Sequence, residues 1–401
     1  MPMPLPDLSR HRRACEVGFV APALIAIAFA LDAGTRLLPT EWFTFRPQEA
    51  LGRFPIAEGP YFPLHSVRMN RTYGDLANLG NLPSMRQYHA QTASSDELGF
   101  RNPPGTVSTG RVEVLLVGDS FSLGTGLSDW ETLPAQLAVR GGVRVYSVAT
   151  QSQLPALGQL LSMASRLRMD QGIVLVQLLE RKDTPAASDL LASPPPVSSF
   201  CDLGKWARTI GSDLIHYSPL KILASRWQRS LQDDRVLPNP LYRNIVTAKL
   251  RNGQVMLFHR DEIRDEPPAV EISALKCLQR ELAARNLHLA ILLVPNKYTV
   301  YRHLLARGHP APSEEALSRL DRALRDAGLQ VIHPLPRLRQ AAEAAFARRR
   351  YIYWLDDTHW NREGVAVVAA EVARDLAAPV TDLRAQKMEN PAEASRRVAH
   401  R

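Results

Sequence analysis

The stretch Val112-Glu113-Val114-Leu115-Leu116-Val117-Gly118-Asp119-Ser120-Phe121 decides the fold class. Its first six residues form an almost continuous apolar run, which predicts a buried strand that Gly118 ends. In a parallel α/β sheet, ligands bind beyond the carboxyl ends of the strands. A serine directly after such a strand would lie near a helix N-terminus, where free backbone N–H groups can stabilise an oxyanion. Asp and Ser are also ordinary helix-capping residues, so the tripeptide Gly118-Asp119-Ser120 alone does not indicate a catalytic site.

Strands and helices alternate along the rest of the chain. The short connections predict βαβ crossovers and a parallel sheet. The last helix carries Val365, Val368, Val372 and Leu376 at helical spacing. Further strands are expected at 143–148, 173–176, 288–294 and 329–332, and helices at 132–139, 156–167, 269–285, 313–327 and 364–376.

The domain organisation follows from where this alternation holds. Residues 111–380 are expected to form the main domain. An insertion at about 184–265, after the third strand, is expected to cover the sheet edge or the site. It contains Asn252-Gly253 between two apolar runs, which predicts a hairpin with a type I′ turn. Residues 39–110 are expected to be an irregular lead-in packed on the main domain, and 381–401 a disordered tail.

The N-terminus carries the basic residues Arg10, His11, Arg12 and Arg13 before an apolar run at 17–31. The run is shorter than the roughly 20 residues that span a bilayer. One interpretation is a signal anchor that extends towards Leu38 and leaves its basic end in the cytoplasm. Another is a signal peptide cleaved after a small-residue site at 28–30. A buried core helix is the third. The first two predict an inner-membrane-anchored periplasmic domain or secretion to the periplasm.

The amino-acid composition limits the kinds of molecule that this protein is expected to bind. The 401 residues are 45% hydrophobic and 22% charged, which is ordinary for a globular protein, and the net charge is +9. That charge favours anionic polymers or lipid head groups. Basic and aromatic residues do not alternate, so no nucleic acid is expected. The three cysteines lack a CxxC spacing, and no motif indicates a metal, nucleotide or other cofactor. Cys201 and Cys277 either pair or remain thiols.

The second chemical motif is Asp356-Asp357-Thr358-His359-Trp360-Asn361, just before the last helix. A serine nucleophile needs a base, and the base needs a third group that holds its tautomer. His359 can supply the base, and Asp356 or Asp357 can orient it from the same loop. The combination with Ser120 after the first strand makes a catalytic interpretation stronger than a solvated turn.

This order of motifs resembles that of the SGNH/GDSL hydrolases. The residues within and around these motifs more closely resemble the SGNH-like acetyltransferase domain of the alginate O-acetylation proteins (AlgX/AlgJ-like), over roughly residues 70–380. The resemblance implies an SGNH-hydrolase-like, flavodoxin-like α/β sandwich with a central parallel sheet, preceded here by an N-terminal hydrophobic helix. The matching elements are Gly99-Phe100-Arg101-Asn102, Gly118-Asp119-Ser120-Phe121, Val294-Pro295-Asn296-Lys297 with Tyr301, and Asp357-Thr358-His359-Trp360-Asn361 with Gly364.

The resemblance implies roles for the residues of both motifs. Ser120 would be the nucleophile and its N–H an oxyanion donor, and His359 would be the general base. The alginate-type DxH spacing selects Asp357 as the triad acid and is favoured. The broader DxxH spacing of the GDSL enzymes would select Asp356.

The chain departs from the family pattern at three points. Where a glycine donor is usual, it reads Ala149-Thr150-Gln151-Ser152-Gln153, so Ser152 is a candidate on backbone grounds. Where a Gly-Asn-Asp sequence is usual, this chain has Gln177-Leu178-Leu179-Glu180-Arg181. Arg181 therefore either substitutes for the asparagine, binds substrate or forms a salt bridge. In the alginate proteins DxHW precedes GDS, whereas this chain has the usual SGNH order.

Three further side chains are candidates for substrate contact. Arg101 belongs to one matching element. Lys297 either faces the site or caps a helix. Trp360 either forms a wall on which a sugar stacks or packs in the core.

The expected function is O-acyl transfer, most simply of acetyl groups, to a polysaccharide outside the cytoplasm. Its expected partners are the polysaccharide, an acyl donor or a donor-supplying membrane acyltransferase, and the membrane through the N-terminal helix. One alternative is a carbohydrate or lipid esterase of the same class. The other is a non-catalytic polysaccharide-binding or assembly factor.

Overall fold

The structure is a computed structural model. It describes residues 8–35, 37–38, 44–52, 58–108, 111–150, 155, 157–184, 218–220, 223–224, 227, 244–263, 268–306 and 314–389, with the backbone alone at 8–21, 314–315 and 386–389.

Nine strands and eleven helices are used below. The strands are β1 Ser66–Thr72, β2 His89–Ser94, β3 Val114–Val117, β4 Val145–Ser147, β5 Gly172–Leu179, β6 Ile245–Lys249, β7 Val255–His259, β8 Leu287–Val294 and β9 Gln330–Ile332. The helices are α1 Leu8–Thr35, α2 Pro47–Ala50, α3 Asp75–Leu79, α4 Ser120–Leu123, α5 Leu133–Gly141, α6 Leu157–Arg166, α7 Ile272–Ala283, α8 Lys297–Tyr301, α9 Glu314–Asp326, α10 Leu335–Phe346 and α11 Arg362–Glu389.

The central sheet has the order β4-β3-β5-β8-β9, and every neighbouring pair is parallel. The chain therefore runs from β3 outward to β4 and then crosses back to β5. This is the flavodoxin-like order, and the reversal opens a crevice at the carboxyl ends of β3 and β5. The expected α/β fold with a parallel central sheet is confirmed.

The strand sequences explain why this sheet is in the middle of the molecule. All eight residues of β5 are buried, as are all residues of β8 except His288. Strands that are covered on both faces need near-continuous apolar runs. Amphipathic helices provide the cover: α7 packs on β8, α9 on β9, and α11 on α5.

The lead-in before the sheet contains more regular structure than its sequence indicates. Strands β1 and β2 pair antiparallel, with a register shift between Met69 and Thr72. Most residues of these strands are polar and only a few are buried, so no sustained apolar period marks them. The lead-in joins the sheet through Asn102, which accepts a hydrogen bond from the Ser147 N–H (2.8 Å) and donates one to its carbonyl (3.0 Å). Asn102 thereby satisfies the hydrogen-bonding groups of Ser147 on the open side of the edge strand β4.

The hairpin of β6 and β7 is the described end of the expected insertion; most of 184–265 lies outside the described residues. The predicted type I′ turn is wrong. That turn needs positive φ at both central residues. Here only Gly253 has positive φ (+84°), and its N–H bonds to the Leu250 carbonyl at 2.8 Å. The loop is therefore a type I turn closed by a left-handed glycine. The hairpin packs its Ile245 and Leu257 on Leu76 and Ala77 of α3.

The last helix is longer than the sequence predicts. It continues to Glu389, whereas a disordered tail was expected from residue 381. Val380 and Leu383 extend its buried face beyond Pro379, and the Leu383 carbonyl accepts a hydrogen bond from the Gln171 amide (2.6 Å). Arg384 forms an ion pair with Glu113. Residues 390–401 lie outside the described part.

The N-terminal helix α1 ends at Thr35, and the exposed side chains of its second half include Leu24, Ile25 and Phe29. In the part of the chain that the structure describes, no helix is long and apolar enough to cross a membrane. The expected membrane attachment rests on the basic cluster at 10–13 and the apolar run at 17–31; the side chains before residue 22 are not described, and the attachment stays a prediction.

Replacement of Asn102 by Ala should destabilise the sheet edge. It leaves the Ser147 N–H and carbonyl without their partner, and each unsatisfied buried group costs about 1–3 kcal/mol. Because two such groups lose their partner, we expect the free energy of unfolding, measured in urea, to fall by about 2–6 kcal/mol. The exposed Asn70→Ala should change it by less than about 0.5 kcal/mol. Equal effects of the two variants would contradict the role assigned to Asn102.

Candidate active site

Ser120 is the first residue of α4, immediately beyond the carboxyl end of β3. Asp119 caps this helix: its Oδ1 accepts hydrogen bonds from the Phe121 N–H (3.0 Å) and the Gln177 amide (2.7 Å). Lys182 contacts Asp119 Oδ2 at 2.8 Å. Burial alone would raise the pKa of Asp119, but Lys182 and these hydrogen bonds lower it below its usual value. The cap therefore remains a carboxylate and fixes the turn that presents Ser120.

Gln177, near the end of β5, holds the other side of this turn. Its Oε1 accepts hydrogen bonds from the Ser122 N–H (3.1 Å) and hydroxyl (2.5 Å). A Cβ on Gly118 would lie 2.6 Å from that same oxygen, which explains the glycine at this position. Gln177 thus connects the two strands of the crevice, and its amide is engaged in fixing α4 rather than free for substrate.

His359 meets Ser120 in the crevice. Its Nε2 lies 2.8 Å from Ser120 Oγ, and its Nδ1 lies 2.5 Å from Asp357 Oδ1. His359 and Asp357 are buried, whereas Ser120 is half-buried. The imidazole packs on Phe121, with ring centroids 4.6 Å apart. The structure therefore brings together the nucleophile, base and acid expected from the sequence.

The two adjacent aspartates have different surroundings. Burial would raise the pKa of Asp357, but the charge and hydrogen bonds of His359 and the charge of Arg46 lower it far below its usual value. Burial raises the pKa of Asp356 to about 6. Its Oδ2 accepts hydrogen bonds from the Gly74 and Gln87 N–H groups (2.9 and 2.8 Å). Asp356 is thus held by the lead-in, and Asp357 is the carboxylate on His359.

Lys297 is buried beneath the loop that carries these aspartates. Its Nζ donates hydrogen bonds to the carbonyls of Trp354 (2.8 Å) and Asp357 (2.7 Å), and lies 5.2 Å from the Phe258 ring centroid. Burial lowers its pKa to about 8, against the opposing effect of nearby carboxylates, of which Glu262 acts most strongly. Lys297 thus holds the catalytic loop from below and does not face a substrate.

The lead-in supplies a contact that sequence reasoning missed. Asp75, the first residue of α3, donates its N–H to Asp357 Oδ2 (2.9 Å) and accepts hydrogen bonds from Thr358. Arg46 lies 3.4 Å from the Asp75 carboxylate. No pattern marks these residues, because they come from the lead-in, and Asp75 alone is 282 positions from Asp357.

Three other candidates have side chains that are engaged by protein groups. Arg181 bonds to buried Glu262 at 2.7 Å, which is the salt-bridge alternative. Arg101 is buried and donates to carbonyls of the loop after α4, among them Gly124 (2.7 Å) and Leu127 (2.6 Å). Trp360 is fully buried and meets Phe121 edge-on at 4.9 Å. A sugar-stacking role for Trp360 is therefore wrong, and Arg101 is structural because its guanidinium is occupied.

The oxyanion donors are described in part. The Ser120 N–H, at the start of α4, makes no hydrogen bond with the described residues and is available to a ligand. The nearby Ala149 and Thr150 N–H groups bond to Ser147 and Gly118 respectively. Ser152 and Cys201 lie outside the described residues, so the second donor is not tested. Cys277 is a free cysteine, which is the thiol alternative for this residue.

In the described part, one group has donor atoms close enough for a metal ion: Asp75, Asp357 and His359, within 4.8 Å of one another. The Nδ1 of His359 already bonds to Asp357, so a metal would have to displace this bond. The arrangement fits proton transfer better than metal ligation.

Part of the chain also matches a known family. Residues 255–399 match the family model described as SGNH hydrolase-like domain, acetyltransferase AlgX. This confirms the resemblance seen in the motifs. The matched part contains Lys297, Asp357 and His359, and Ser120 lies before it.

A solved structure of a lipolytic protein of the G-D-S-L family from Desulfitobacterium hafniense is similar to this chain at 12% identity and a TM-score of 0.30, covering 66% of this chain and all of that one. A search of curated proteins found no significant match.

Asparagine substitutions at the two aspartates should separate their roles. Asp357→Asn should lower kcat for ester cleavage by about 10³–10⁴-fold, because the amide favours the wrong imidazole tautomer. Asp356→Asn should stay within a few-fold of the unsubstituted enzyme, because its amide oxygen can still accept both N–H groups. A larger loss in Asp356→Asn than in Asp357→Asn would reverse the assignment.

The raised pKa of Asp356 predicts a pH-dependent stability difference. Between its usual 3.8 and about 6, the folded state holds the proton more tightly than the unfolded state. This carboxyl therefore loses stabilising effect as the pH rises through that window. A neutral Asn does not titrate. We expect the free energy of unfolding in urea of Asp356→Asn, relative to that of the unsubstituted protein, to be higher at pH 7 than at pH 4 by on the order of 1–3 kcal/mol. A pH-independent difference would contradict this.

Proposed function

We propose that this protein transfers acyl groups through a covalent intermediate on Ser120. The observation that carries the proposal is the continuous hydrogen-bonded set from Ser120 Oγ through both nitrogens of His359 to Asp357, with distances of 2.8 and 2.5 Å. This is the arrangement that activates a serine hydroxyl at neutral pH.

The first half of the reaction follows from this geometry. Ser120 Oγ attacks the carbonyl carbon of the donor while His359 Nε2 takes the hydroxyl proton. The Ser120 N–H is placed to bond the developing oxyanion. When the tetrahedral intermediate collapses, the carbon–leaving-group bond breaks, and His359 returns the proton to the leaving group. Asp357 stays ionised throughout and stabilises the imidazolium.

The second half needs an acceptor hydroxyl. His359 removes its proton, the acceptor oxygen attacks the acyl carbon, and Ser120 leaves with the proton restored. A sugar hydroxyl gives transfer and water gives hydrolysis. The match of residues 255–399 to a family described as an acetyltransferase favours acetyl transfer. The resemblance of the motif sequences to those of the alginate O-acetylation proteins favours a polysaccharide acceptor. An esterase would use the same acyl-enzyme, with water as the acceptor.

The non-catalytic alternative fits the structure less well. A fold retained only for binding has no need for Ser120 Oγ within hydrogen-bond distance of a buried imidazole that itself bonds a carboxylate. The three side chains meet across 239 residues of sequence. We therefore propose an enzyme.

The proposed location is outside the cytoplasm, either anchored in the inner membrane or secreted to the periplasm. Its support is the order of the basic cluster and the apolar run at the N-terminus. The proposed partners are the polysaccharide and an acyl donor, or a membrane acyltransferase that supplies the donor.

The acyl-enzyme can be trapped directly. Incubation with p-nitrophenyl acetate should release p-nitrophenol and add one acetyl group to Ser120, detectable by mass spectrometry of the peptide. Ser120→Ala should abolish both, and the exposed Ser108→Ala should abolish neither. Equal release by Ser120→Ala would overturn the proposal. Addition of a polysaccharide acceptor then distinguishes the two classes. An acetyltransferase should transfer the acetyl group to the sugar, whereas an esterase should release acetate at the same rate with and without the acceptor.

A further inference from the structure

Asp75 makes a reciprocal set of hydrogen bonds with the catalytic loop. Its N–H donates to Asp357 Oδ2 (2.9 Å). Its carboxylate oxygens accept from the Thr358 N–H (2.8 Å) and the Thr358 hydroxyl (2.6 Å). Since Asp357 Oδ2 is satisfied by this N–H, Oδ1 is left for His359. Asp75 thereby fixes the rotamer of the triad acid.

The Thr358 hydroxyl carries this effect to the imidazole. Its oxygen lies 3.2 Å from His359 Nδ1. Because the hydroxyl proton is donated to Asp75, the oxygen can only present a lone pair to Nδ1. The other neighbours of Nδ1 are also acceptors: Asp357 Oδ1 at 2.5 Å and Asp75 Oδ2 at 3.9 Å. A ring nitrogen that faces only acceptors must carry its proton there.

The resulting tautomer is the one the reaction needs. With the proton on Nδ1, the Nε2 lone pair faces Ser120 Oγ and can act as a base. Without Asp75, the Thr358 hydroxyl could turn and donate to Nδ1, which would stabilise the opposite tautomer. Arg46, 3.4 Å from Asp75 Oδ2, balances the additional negative charge beside Asp357.

We propose that Asp75 is a positioning residue of the active site, which acts through Thr358 and Asp357 to hold His359 in its Nδ1–H tautomer. The base role of His359 rests on the proposed function, whereas the tautomer itself does not. The lead-in is thus part of the active site, and Asp75 touches neither nucleophile nor substrate.

The tautomer is measured first, without any assay of activity. In the full-length protein with ¹⁵N-labelled histidine, the His359 Nδ1–H proton should give a far-downfield resonance, assigned by its loss in His359→Gln. In Asp75→Asn and Thr358→Val this resonance should move upfield or broaden. Thr358→Ser, which keeps the hydroxyl, should retain it. Two controls should also retain it: Asp170→Asn at an exposed carboxylate, and Thr72→Val, which removes a buried hydroxyl bonded to the His89 carbonyl.

Kinetics provide the second measurement. With p-nitrophenyl acetate, Asp75→Asn and Thr358→Val should each lower kcat roughly 10- to 100-fold, the scale for loss of an outer carboxylate partner or a misplacement of about 1 Å. The double variant should be no worse than either single one, because both remove the same link. Thr358→Ser should recover most of the rate.

The outcomes separate this proposal from the proposed function. An unchanged Nδ1–H resonance in folded Asp75→Asn overturns the positioning role, whatever the activity. Independent, multiplicative losses in the double variant also overturn it. Activity that survives in Ser120→Ala contradicts the acyl-enzyme, while the resonance of His359 still reports whether Asp75 sets the tautomer.

Discussion

The crevice between β3 and β5 is the constraint on which the site depends. The chain leaves β3 towards β4 and returns on the other side at β5, and this reversal opens a crevice at the carboxyl ends of β3 and β5. Ser120 occupies the end of β3 because α4 begins there. Gln177 spans the gap from β5, and the loop before α11 brings His359 to the same point. The order of strands in one sheet therefore places Ser120 and Gln177, and contacts from outside the sheet hold the loop that carries His359.

Burial of charge is the second organising feature. Around the catalytic loop, Asp357 faces His359 and Arg46, Asp356 is bound by two backbone N–H groups, and Lys297 binds loop carbonyls. Each buried charge needs such partners, because an unpaired one costs several kcal/mol. The pKa values move in opposite directions on adjacent aspartates as a result. These contacts restrain the loop, which suits a site that must hold an imidazole within about 0.5 Å of its productive position.

Parts of the site were predictable because their signals are local. The buried strand, the serine after it and the Asp-x-His spacing each lie within a few residues, so Ser120, His359 and Asp357 could be named from the sequence. Lys297, Arg181 and Trp360 could be named but not placed. Their side chains are long enough to turn toward either a substrate or the core, and only the neighbours decide. Asp75 and Gln177 had no local signal as site residues, since their partners are distant in sequence.

The sequence by itself determined the parallel α/β architecture and named Ser120, His359 and Asp357 as candidates for a nucleophile, a base and an acid. Apolar periodicity and motif spacing are properties of neighbouring residues, and these suffice for both. The tertiary structure decided between Asp356 and Asp357, assigned Lys297 and Arg101 to carbonyl groups, buried Trp360, and brought the lead-in against His359. Those outcomes depend on hydrogen bonds and ion pairs between segments up to 283 residues apart. Their geometry is set only when the sheet and its surrounding helices pack.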